Sequence, residues 1–311
     1  MNEDMQDTTN PSDPVVNATR CGLVAIVGRP NVGKSTLLNR ILGQHLSITS
    51  RRPQTTRYRV MGVHTEGDTQ IVFVDTPGWE RSRRDGVNRS MNREITAALT
   101  GVNLALFVID ARQFGKDDEV VLKALQQEKV PTLLVLNKVD LVPNKESLLP
   151  LIHRLSEQHE FESIIPVSAK RWIQGDVLLK TIADGLPEGE FLFAPDSITP
   201  QSSQFFAAEI LREKLMRQLG DELPYASSVI IDLFETHADG MHISATIWVE
   251  RKGQKAIVIG AGGETLKQIA SAARVDMETL FDTKVFLQTW VKVRENWRND
   301  VQALRQLGFD S

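Results

Sequence analysis

Cysteine is almost absent from this chain of 311 residues, because Cys21 is its only thiol. A single thiol cannot form a disulfide within the chain, and the lack of disulfides is typical of proteins in the reducing cytoplasm. Cys21 lies at the edge of an apolar segment, which favours a packed, inert thiol over a reactive one. The cysteine content therefore predicts a cytoplasmic protein.

Long apolar runs and a large excess of one charge are missing as well. No stretch approaches the roughly 18 apolar residues of a membrane span. Residues 1–19, rich in Asn, Asp, Thr and Pro, lack the basic start and apolar centre of a signal peptide and predict a disordered tail. The net charge of −4 excludes a strongly basic, histone-like chain, although a local basic patch can still bind nucleic acid.

The length of the chain predicts two domains. Within residues 20–186, short apolar runs alternate with segments of helix length, which predicts an α/β domain with a mostly parallel sheet. Its predicted strands are 22–27, 57–65, 69–74, 104–110, 132–137 and 163–167, and its predicted helices are 34–42, 87–99, 117–127 and 145–158. Residues 187–203 are rich in proline and predict a linker. Residues 204–311 follow a different pattern of helices and strands, which predicts a smaller α+β domain that ends in a helix.

A phosphate-binding loop follows the first predicted strand and leads into a helix. The pattern G-x-x-x-x-G-K-[ST] uses its glycines to bring backbone N–H groups around a phosphate, and the next helix points its positive dipole end at the same group. Lys34 would neutralise the β- and γ-phosphates, and the Ser35 hydroxyl would bind Mg²⁺. The predicted nucleotide contacts are Gly28, Arg29, Pro30, Asn31, Val32, Gly33, Lys34, Ser35 and Thr36. This pattern predicts a P-loop NTPase, and a coincidental glycine-rich turn is the alternative.

Three more motifs stand at the carboxyl ends of predicted strands, the edge where open α/β sheets bind ligands. Asp75 can hold Mg²⁺ through its water shell, and the Gly78 N–H can reach the γ-phosphate. Asp140 can accept hydrogen bonds from guanine N1–H and N2–H₂, which adenine lacks, while Asn137 can tie its loop to the phosphate loop. The tripeptide 168–170 can offer a backbone N–H to guanine O6. The predicted contacts are Asp75, Thr76, Pro77, Gly78, Trp79, Asn137, Lys138, Asp140, Ser168, Ala169 and Lys170.

The order and positions of these motifs resemble the TRAFAC-class GTPases over residues 22–186. The resemblance implies hydrolysis of GTP to GDP and phosphate, with Mg²⁺ as cofactor. Within that class the segment Gln-Thr-Thr-Arg at 54–57 looks like the first switch. It implies that Thr56 closes on Mg²⁺ beside the other metal ligands, Ser35 and Asp75, and that Thr56 is catalytic together with Lys34. Thr55 is the alternative, and two β-forming residues opening a strand are another interpretation of this pair.

The residue after Gly78 is Trp79, where many GTPases carry a glutamine that orients the attacking water. An indole cannot orient that water, so the chain resembles the GTPases with a hydrophobic replacement at this site. In their potassium-dependent members an asparagine of the phosphate loop helps bind K⁺, and Asn31 occupies that position. Two interpretations remain open. Asn31 is a catalytic residue that adds K⁺ to the cofactors, or it stabilises the turn.

A second glycine loop, Gly-Ala-Gly-Gly at 260–263, lies between two helical segments. Its glycines let the backbone approach nucleotide phosphates, and the next helix adds its N-terminal dipole. The predicted RNA contacts are Arg251, Lys252, Lys255, Gly260, Ala261, Gly262, Gly263 and Lys267. A plain helix–helix turn is the alternative for the loop alone, but the order of elements around it resembles a type II KH domain. The aromatic residues Phe286, Trp290 and Trp297 are predicted to pack in its core, with stacking on bases as the alternative.

Both regions together resemble the Era family of bacterial GTPases over about residues 20–309. Shared stretches lie at 54–57, 213–217, 222–225, 249–251 and 290–293. The resemblance implies a monomer that binds the 3′ end of 16S ribosomal RNA and assists assembly and maturation of the 30S subunit. It also implies a cytoplasmic location with peripheral association to the inner membrane. Two other functions stay open: a GTPase switch whose second domain binds a protein, and an RNA-binding protein with a vestigial nucleotide site.

Overall fold

The computed structural model describes residues 18–48, 57–58, 60–76, 98–220, 223 and 225–307. The strands, in chain order, are β1 Arg20–Val27, β2 Val60–Glu66, β3 Thr69–Asp75, β4 Leu104–Asp110, β5 Thr132–Asn137, β6 Ser163–Pro166, β7 Ser227–His237, β8 Gly240–Val249 and β9 Val285–Val293. The α-helices are α1 Lys34–Leu42, α2 Lys116–Glu128, α3 Leu149–Gln158, α4 Gly175–Asp184, α5 Ser203–Gln218, α6 Lys252–Ile259, α7 Glu264–Phe281 and α8 Val301–Gln306. The predicted tail lies outside the described residues except for 18 and 19.

The first six strands form one sheet in the order β2-β3-β1-β4-β5-β6. Every described pair in it is parallel except β2 with β3. Side chains of β1 alternate between two cores: Val24 and Ile26 enter one, while Ala25 and Val27 enter the other. The sheet is therefore covered on both faces, which explains its continuous apolar runs. The strand order reverses beside β1, so ligands are expected at the carboxyl ends of the strands there.

Several predicted boundaries differ from the structure. The strand predicted from residue 57 begins at Val60, and Arg57 and Tyr58 precede it. The helix predicted over 145–158 is a 3₁₀ turn, Lys145–Leu148, followed by α3. Helix α4 was not predicted, although Leu178 and Ile182 on its inner face are fully buried. The helix predicted over 87–99 lies outside the described residues except for its last two positions.

The predicted linker packs along the edge of the sheet. The backbone N–H of Val63 on β2 donates to Ile198 O at 2.7 Å, and the Thr199 hydroxyl donates to Met61 O at 2.6 Å. Gln70 on β3 exchanges two hydrogen bonds with the backbone of Phe193. The linker thereby satisfies backbone groups of an edge strand that would otherwise be open to pairing.

The remaining strands form a three-stranded sheet in the order β7-β8-β9, in which β7 is antiparallel and β9 parallel to β8. Helices α5 and α7 cover one face through Leu211, Leu215 and Ala273, all fully buried. The element order α5-β7-β8-α6-α7-β9 confirms the predicted α+β arrangement of a type II KH domain. None of the helices in the described part of the chain has the length and apolar character that a membrane span requires.

The aromatic residues of this domain behave differently from one another. Trp297 is fully buried beside Trp248, as predicted. Trp290 is 47% exposed, so its predicted burial is wrong. The reason is the period of the strand. Its neighbour Val291 faces the core on β9, and consecutive side chains of a strand point to opposite faces.

Candidate nucleotide-binding and nucleic-acid-binding sites

The phosphate loop runs from the end of β1 at Val27 to the start of α1 at Lys34. Two of its glycines have positive φ angles, +153° at Gly28 and +105° at Gly33. A Cβ atom would lie 2.2 Å from Val108 O at the first position and 2.3 Å from Asn137 Nδ2 at the second. Only glycine therefore lets the loop approach β4 and β5 this closely.

Lys34 is buried at the start of α1, with its amine inside the curl of the loop. Its Nζ atom donates to Gly28 O at 2.8 Å and to Arg29 O at 3.2 Å. Burial lowers the pKa of Lys34 to about 8, and the nearby carboxylates Asp75 and Asp118 oppose that shift. At neutral pH the buried amine is therefore mostly protonated, and an incoming phosphate anion would stabilise its charged form further.

An oxygen-rich cluster lies where β3 ends beside α1. Asp75 is fully buried, and its Oδ2 atom accepts hydrogen bonds from Ser35 Oγ at 3.0 Å and from Ser47 Oγ at 2.8 Å. Thr76 donates its hydroxyl to Ile26 O at 2.9 Å, which fixes the chain just after β3 to β1. Hydroxyl and carboxylate oxygens are the ligand types that Mg²⁺ takes. The residues therefore fit a magnesium ion.

Ser47 was missed by the sequence analysis. A lone serine carries no spacing signal, and its contact with Asp75 spans 28 positions. Asn39 on α1 holds Ser47 in place, because its side chain accepts from Ser47 N at 2.8 Å and donates to Ser47 O at 2.7 Å. Thr56, the third predicted metal ligand, lies outside the described residues, together with Pro77, Gly78 and Trp79.

Asn137, the last residue of β5, contacts two loops with one amide. Its Nδ2 atom donates to Val32 O in the phosphate loop at 2.8 Å. Its Oδ1 atom accepts from Ala169 N at 3.0 Å and from Lys138 N at 2.8 Å. The three segments that the sequence predicts around the nucleotide are thereby joined through a buried side chain.

The predicted guanine-binding residues lie next to this junction. Ser168 Oγ donates to Asp140 Oδ1 at 2.7 Å, and Arg171 Nε lies 3.8 Å from Asp140 Oδ2. Lys138 adopts the left-handed conformation at φ 68°, and its Nζ atom bonds to Asn31 O and lies 3.0 Å from Asp110 Oδ2. Lys138 therefore links the base side of the site to the phosphate loop.

Asp110 at the end of β4 is a buried anion beside this lysine. Burial opposes its ionisation, but hydrogen bonds from Arg112 and Lys138 outweigh burial and hold the pKa of Asp110 well below its usual range. The carboxylate thus supports the position of Lys138. Lys138 follows β5, far from Asp110 in the sequence, so no local pattern pairs these two residues.

Helix α2 holds the side chain of Arg29. Arg29 Nε lies 3.0 Å from Asp118 Oδ2, and the same carboxylate caps α2 by accepting from Gly115 N at 3.0 Å. Burial raises the pKa of Asp118, while the guanidinium of Arg29 opposes that rise. The remaining predicted phosphate-loop residues border the same loop: Pro30 and Thr36 are half-buried and Asn31 is exposed. Lys170 is exposed at the rim of the site.

The second glycine loop joins α6 to α7 on the surface of the smaller sheet domain. Gly260, Gly262 and Gly263 have φ angles of 75°, 61° and 84°. A Cβ atom on Gly260 would lie 2.1 Å from Thr265 Oγ1, whereas one on Gly262 would meet nothing within 4 Å. Gly260 is thus required by the fold, while Ala261 and Gly262 form an exposed tip.

The predicted basic residues lie along the two helices that this loop joins, with Arg251 at the N-cap of α6, Lys252 and Lys255 within α6 and Lys267 on α7. Arg251, Lys252 and Lys267 are exposed and Lys255 is half-buried. Within the residues that the structure describes, none of the four forms a salt bridge. Their charge therefore remains available for an anion, and an extended phosphate backbone is such an anion.

Comparisons with known proteins agree with this architecture. A family of 50S ribosome-binding GTPases matches residues 23–138, and the KH domain family matches residues 222–298. The fold and the two sites define a P-loop GTPase with a C-terminal KH domain. The GTPase Era of Pseudomonas fluorescens strain Pf0-1 is 51% identical over 293 residues, which cover 94% of this chain and 98% of that relative. The chain belongs to the Era family, and it is an enzyme that hydrolyses GTP to GDP and phosphate.

Other relatives and solved structures give the same result. The GTPase Era of Vibrio parahaemolyticus is 50% identical over 93% of this chain and 91% of that protein. A structure of an Aquifex aeolicus Era variant bound to GDP and AlF4⁻ matches with a TM-score of 0.90 and 38% identity, covering 94% of this chain and 100% of that one. A structure of Era with MgGDPNP and nucleotides 1506–1542 of 16S ribosomal RNA matches with the same values. The resemblance predicted from the sequence is confirmed.

Proposed function

We propose that this GTPase is a nucleotide-controlled RNA-binding protein that acts on the 3′ end of 16S ribosomal RNA during assembly and maturation of the 30S subunit. The observation that carries the proposal is the glycine loop at 260–263, with its exposed tip at 261–262 and basic residues on the flanking helices, on the same chain as a GTPase site. The solved Era complex with MgGDPNP and a fragment of 16S ribosomal RNA supports the same ligands here.

At the nucleotide site, backbone N–H groups of the phosphate loop bind the phosphates, and the Lys34 amine neutralises them. Asp140 accepts from the guanine N1–H and N2–H₂ groups, a backbone N–H of residues 168–170 donates to guanine O6, and Asn137 keeps the two loops together. The proposed nucleotide-binding residues are Gly28, Arg29, Pro30, Asn31, Val32, Gly33, Lys34, Ser35, Thr36, Asp75, Thr76, Pro77, Gly78, Trp79, Asn137, Lys138, Asp140, Ser168, Ala169 and Lys170.

We propose Ser35, Asp75 and Thr56 as the residues that hold Mg²⁺. The first two support this assignment, because a hydroxyl and a buried carboxylate lie 3.0 Å apart at the mouth of the phosphate loop. Mg²⁺ keeps several waters and needs few protein ligands, so such a small oxygen set suffices. When bound, the ion would neutralise developing charge on the phosphates.

We propose Lys34, Thr56 and Asn31 as the catalytic residues. The desolvated ammonium group of Lys34 can stabilise the charge that develops on the transferred phosphoryl group. Asn31 is exposed in the phosphate loop with φ 63°, and we assign it to a K⁺ site in place of an arginine finger. Asparagine adopts this backbone conformation readily, so a turn-stabilising role is the competing assignment.

For RNA we propose contacts from Arg251, Lys252, Lys255 and Lys267 and from the backbone of Gly260, Ala261, Gly262 and Gly263. Ala261 and Gly262 carry no basic side chain, so the backbone at the tip makes the phosphate contact. The proposed domains are a disordered tail at 1–19, a GTPase domain at 20–186, a linker at 187–203 and a KH domain at 204–311. The proposed state is a cytoplasmic monomer that associates peripherally with the inner membrane.

Filter binding tests the proposed function with an RNA fragment of 16S nucleotides 1506–1542 and a scrambled fragment of equal length. We expect tighter binding of the native sequence, and for both fragments an affinity that falls steeply between two salt concentrations, since phosphate contacts release counterions. Equal affinity for both fragments contradicts the 16S assignment. No binding of either fragment favours a switch whose second domain binds a protein.

A further inference from the structure

Arg57 extends from the GTPase domain into the interior of the KH domain. Its Nη1 atom donates to Ser227 O at 2.8 Å, and its Nη2 atom donates to Tyr225 O at 3.1 Å. The side chain is 1% exposed. Ser227 is the first residue of β7, so the contact connects the chain just before β2 to the first strand of the KH sheet.

Tyr58, the next residue, also contacts the KH domain. Its ring meets the edge of Phe205 on α5 with centroids 6.0 Å apart, and it packs against the cluster that contains Trp297. Two consecutive residues before β2 are therefore embedded in the KH domain. A displacement of this part of the GTPase domain cannot leave the KH domain unaffected.

The charge of Arg57 makes its two hydrogen bonds to the KH domain costly to break. Burial lowers the pKa of Arg57 to about 9, and the guanidinium of Arg212 adds to the shift. A pKa of about 9 still leaves the group cationic at neutral pH. Arg212 itself is held by Glu209 on α5, with Nη2 and Oε2 2.6 Å apart. A buried cation that lost its two carbonyl acceptors would be strongly destabilised, so Arg57 and the start of β7 are expected to move together.

The other end of this path lies at the nucleotide site. Val60, the first residue of β2, is the register partner of Asp75 at the end of β3. Asp75 is the buried carboxylate that contacts the Ser35 hydroxyl beside the phosphate loop. Asp75, the proposed metal carboxylate, is thus connected to the KH sheet through its pairing with Val60 and the short segment between Val60 and Arg57.

We propose that Arg57 is a positioning residue that couples the nucleotide state of the GTPase domain to the RNA-binding surface of the KH domain. The inference rests on the proposed function, because it concerns the same two ligands. Nucleotide exchange that shifts Asp75 or Val60 changes the direction from which Arg57 approaches β7, and the KH sheet must follow to keep both hydrogen bonds. RNA then shifts the preference for GTP over GDP by the same factor, as linkage requires.

A second contact between the domains is weaker. His45 Nε2 lies 3.5 Å from Glu213 Oε1 on α5, and the histidine side chain is 51% exposed. Water and salt screen such a pair, and exposed ion pairs contribute little. The coupling is therefore assigned to the buried arginine and not to this histidine.

The test uses the full chain and the RNA fragment of 16S nucleotides 1506–1542. The dissociation constant for RNA is measured with saturating GDP and with a saturating non-hydrolysable GTP analogue. For the parent we expect the two constants to differ by a factor of about 5 to 150. In Arg57→Ala the ratio is expected to fall to within about twofold of one, and Arg57→Lys, which keeps the charge but lacks the planar fork, is expected to lie between.

Arg20→Ala is the matched control. Arg20 Nη1 also donates to two backbone carbonyls, Leu186 O at 2.9 Å and Asp184 O at 3.3 Å, but it stays within the GTPase domain and its linker. This variant should keep the ratio of the parent. A merely structural role for Arg57 would weaken RNA binding equally in both nucleotide states and leave the ratio unchanged, which would overturn the inference.

Hydrogen exchange of the parent protein provides a measurement that needs no variant. Without RNA, amide protection at the start of β7 should differ between the GDP and GTP-analogue states. Equal protection there, or equal RNA affinity in both states, overturns the role of Arg57. Failure of the proposed function has a different signature. A parent that binds no RNA in either state contradicts the proposed RNA ligand, while nucleotide-dependent protection of β7 would still support the coupling of the domains through Arg57.

Discussion

The side-chain amide of Asn137 holds the phosphate loop and the loop after β6 together. Its Nδ2 atom donates to Val32 O at 2.8 Å, and its Oδ1 atom accepts from Ala169 N at 3.0 Å. These partners lie 105 and 32 positions away in the sequence. One side chain, 2% exposed, thereby sets the distance between the part of the site expected to bind phosphates and the part expected to bind the base.

Asn137→Ala should weaken the binding of both GTP and GDP. The change leaves Val32 O and Ala169 N without this partner, and each lost bond costs roughly 1–3 kcal/mol when the group left behind is buried. Titration calorimetry with GDP measures the loss. Asn103→Ala is the control, because Asn103 Oδ1 also accepts a backbone hydrogen bond, from Leu23 N at 2.8 Å, near the start of β4 and away from the nucleotide site. Equal losses in the two variants would contradict a specific role for Asn137.

Asp140→Asn should change the preferred base. The substitution replaces one acceptor oxygen by a donor, so guanine is disfavoured and xanthine, whose 2-position carries an oxygen, is favoured by roughly 2–4 kcal/mol. The retained amide oxygen can still accept from Ser168 Oγ, which now bonds to Asp140 Oδ1 at 2.7 Å. Competition between GDP and XDP measures the shift. A variant that binds GDP as tightly as the parent would show that Asp140 does not contact the base.

Local motifs explain why much of the nucleotide site was predictable from the sequence. The phosphate loop is a contiguous segment, and Asp75 and Asn137 are the last residues of β3 and β5, so spacing and strand ends locate them. The bounds of the helices and strands were harder to predict. Helix α4 escaped prediction because Gln174 precedes it in a left-handed conformation without a capping side chain, and its first residue is a glycine.

Contacts between distant segments were not predictable. Ser47 with Asp75, Arg29 with Asp118 and Arg57 with Ser227 join residues 28, 89 and 170 positions apart. No periodicity or spacing rule reports such pairs, because they depend on how finished elements pack. The exposure of Trp290 is similar in kind, since the sequence does not reveal which face of β9 meets the helices.

Two aspartates at the tip of the KH loop should abolish most RNA binding. Ala261→Asp with Gly262→Asp places negative charge where a phosphate is expected, which should weaken RNA binding by on the order of several kcal/mol. The tip is exposed, a Cβ on Gly262 would meet nothing within 4 Å, and aspartate tolerates its φ of +61°. Filter binding measures the effect.

The matched control for this pair is Ala261→Asn with Gly262→Asn, which has nearly the same shape without the charge. It should retain much of the RNA affinity, and GTP binding should be unchanged in both double variants. Unchanged RNA affinity in the aspartate variant would move the RNA site away from this loop.

Potassium should stimulate GTP hydrolysis more than sodium. If Asn31 helps bind K⁺ beside the phosphates, steady-state phosphate release will be faster in KCl than in NaCl, and Asn31→Ala will remove the difference. Equal rates of the parent in the two salts would contradict the potassium site and leave Asn31 as a turn residue.

Trp79→Ala should retain a substantial part of the GTPase activity, because an indole cannot orient the attacking water.

Crosslinking of the protein to RNA in cells tests the central claim most directly, by sequencing the RNA attached to it and mapping the attached peptide. The account predicts that the crosslinked nucleotides lie at the 3′ end of 16S ribosomal RNA and that the peptide contains the loop 260–263 or the basic residues around it. Crosslinks to other RNAs, or to 16S ribosomal RNA through peptides of the GTPase domain alone, would contradict it.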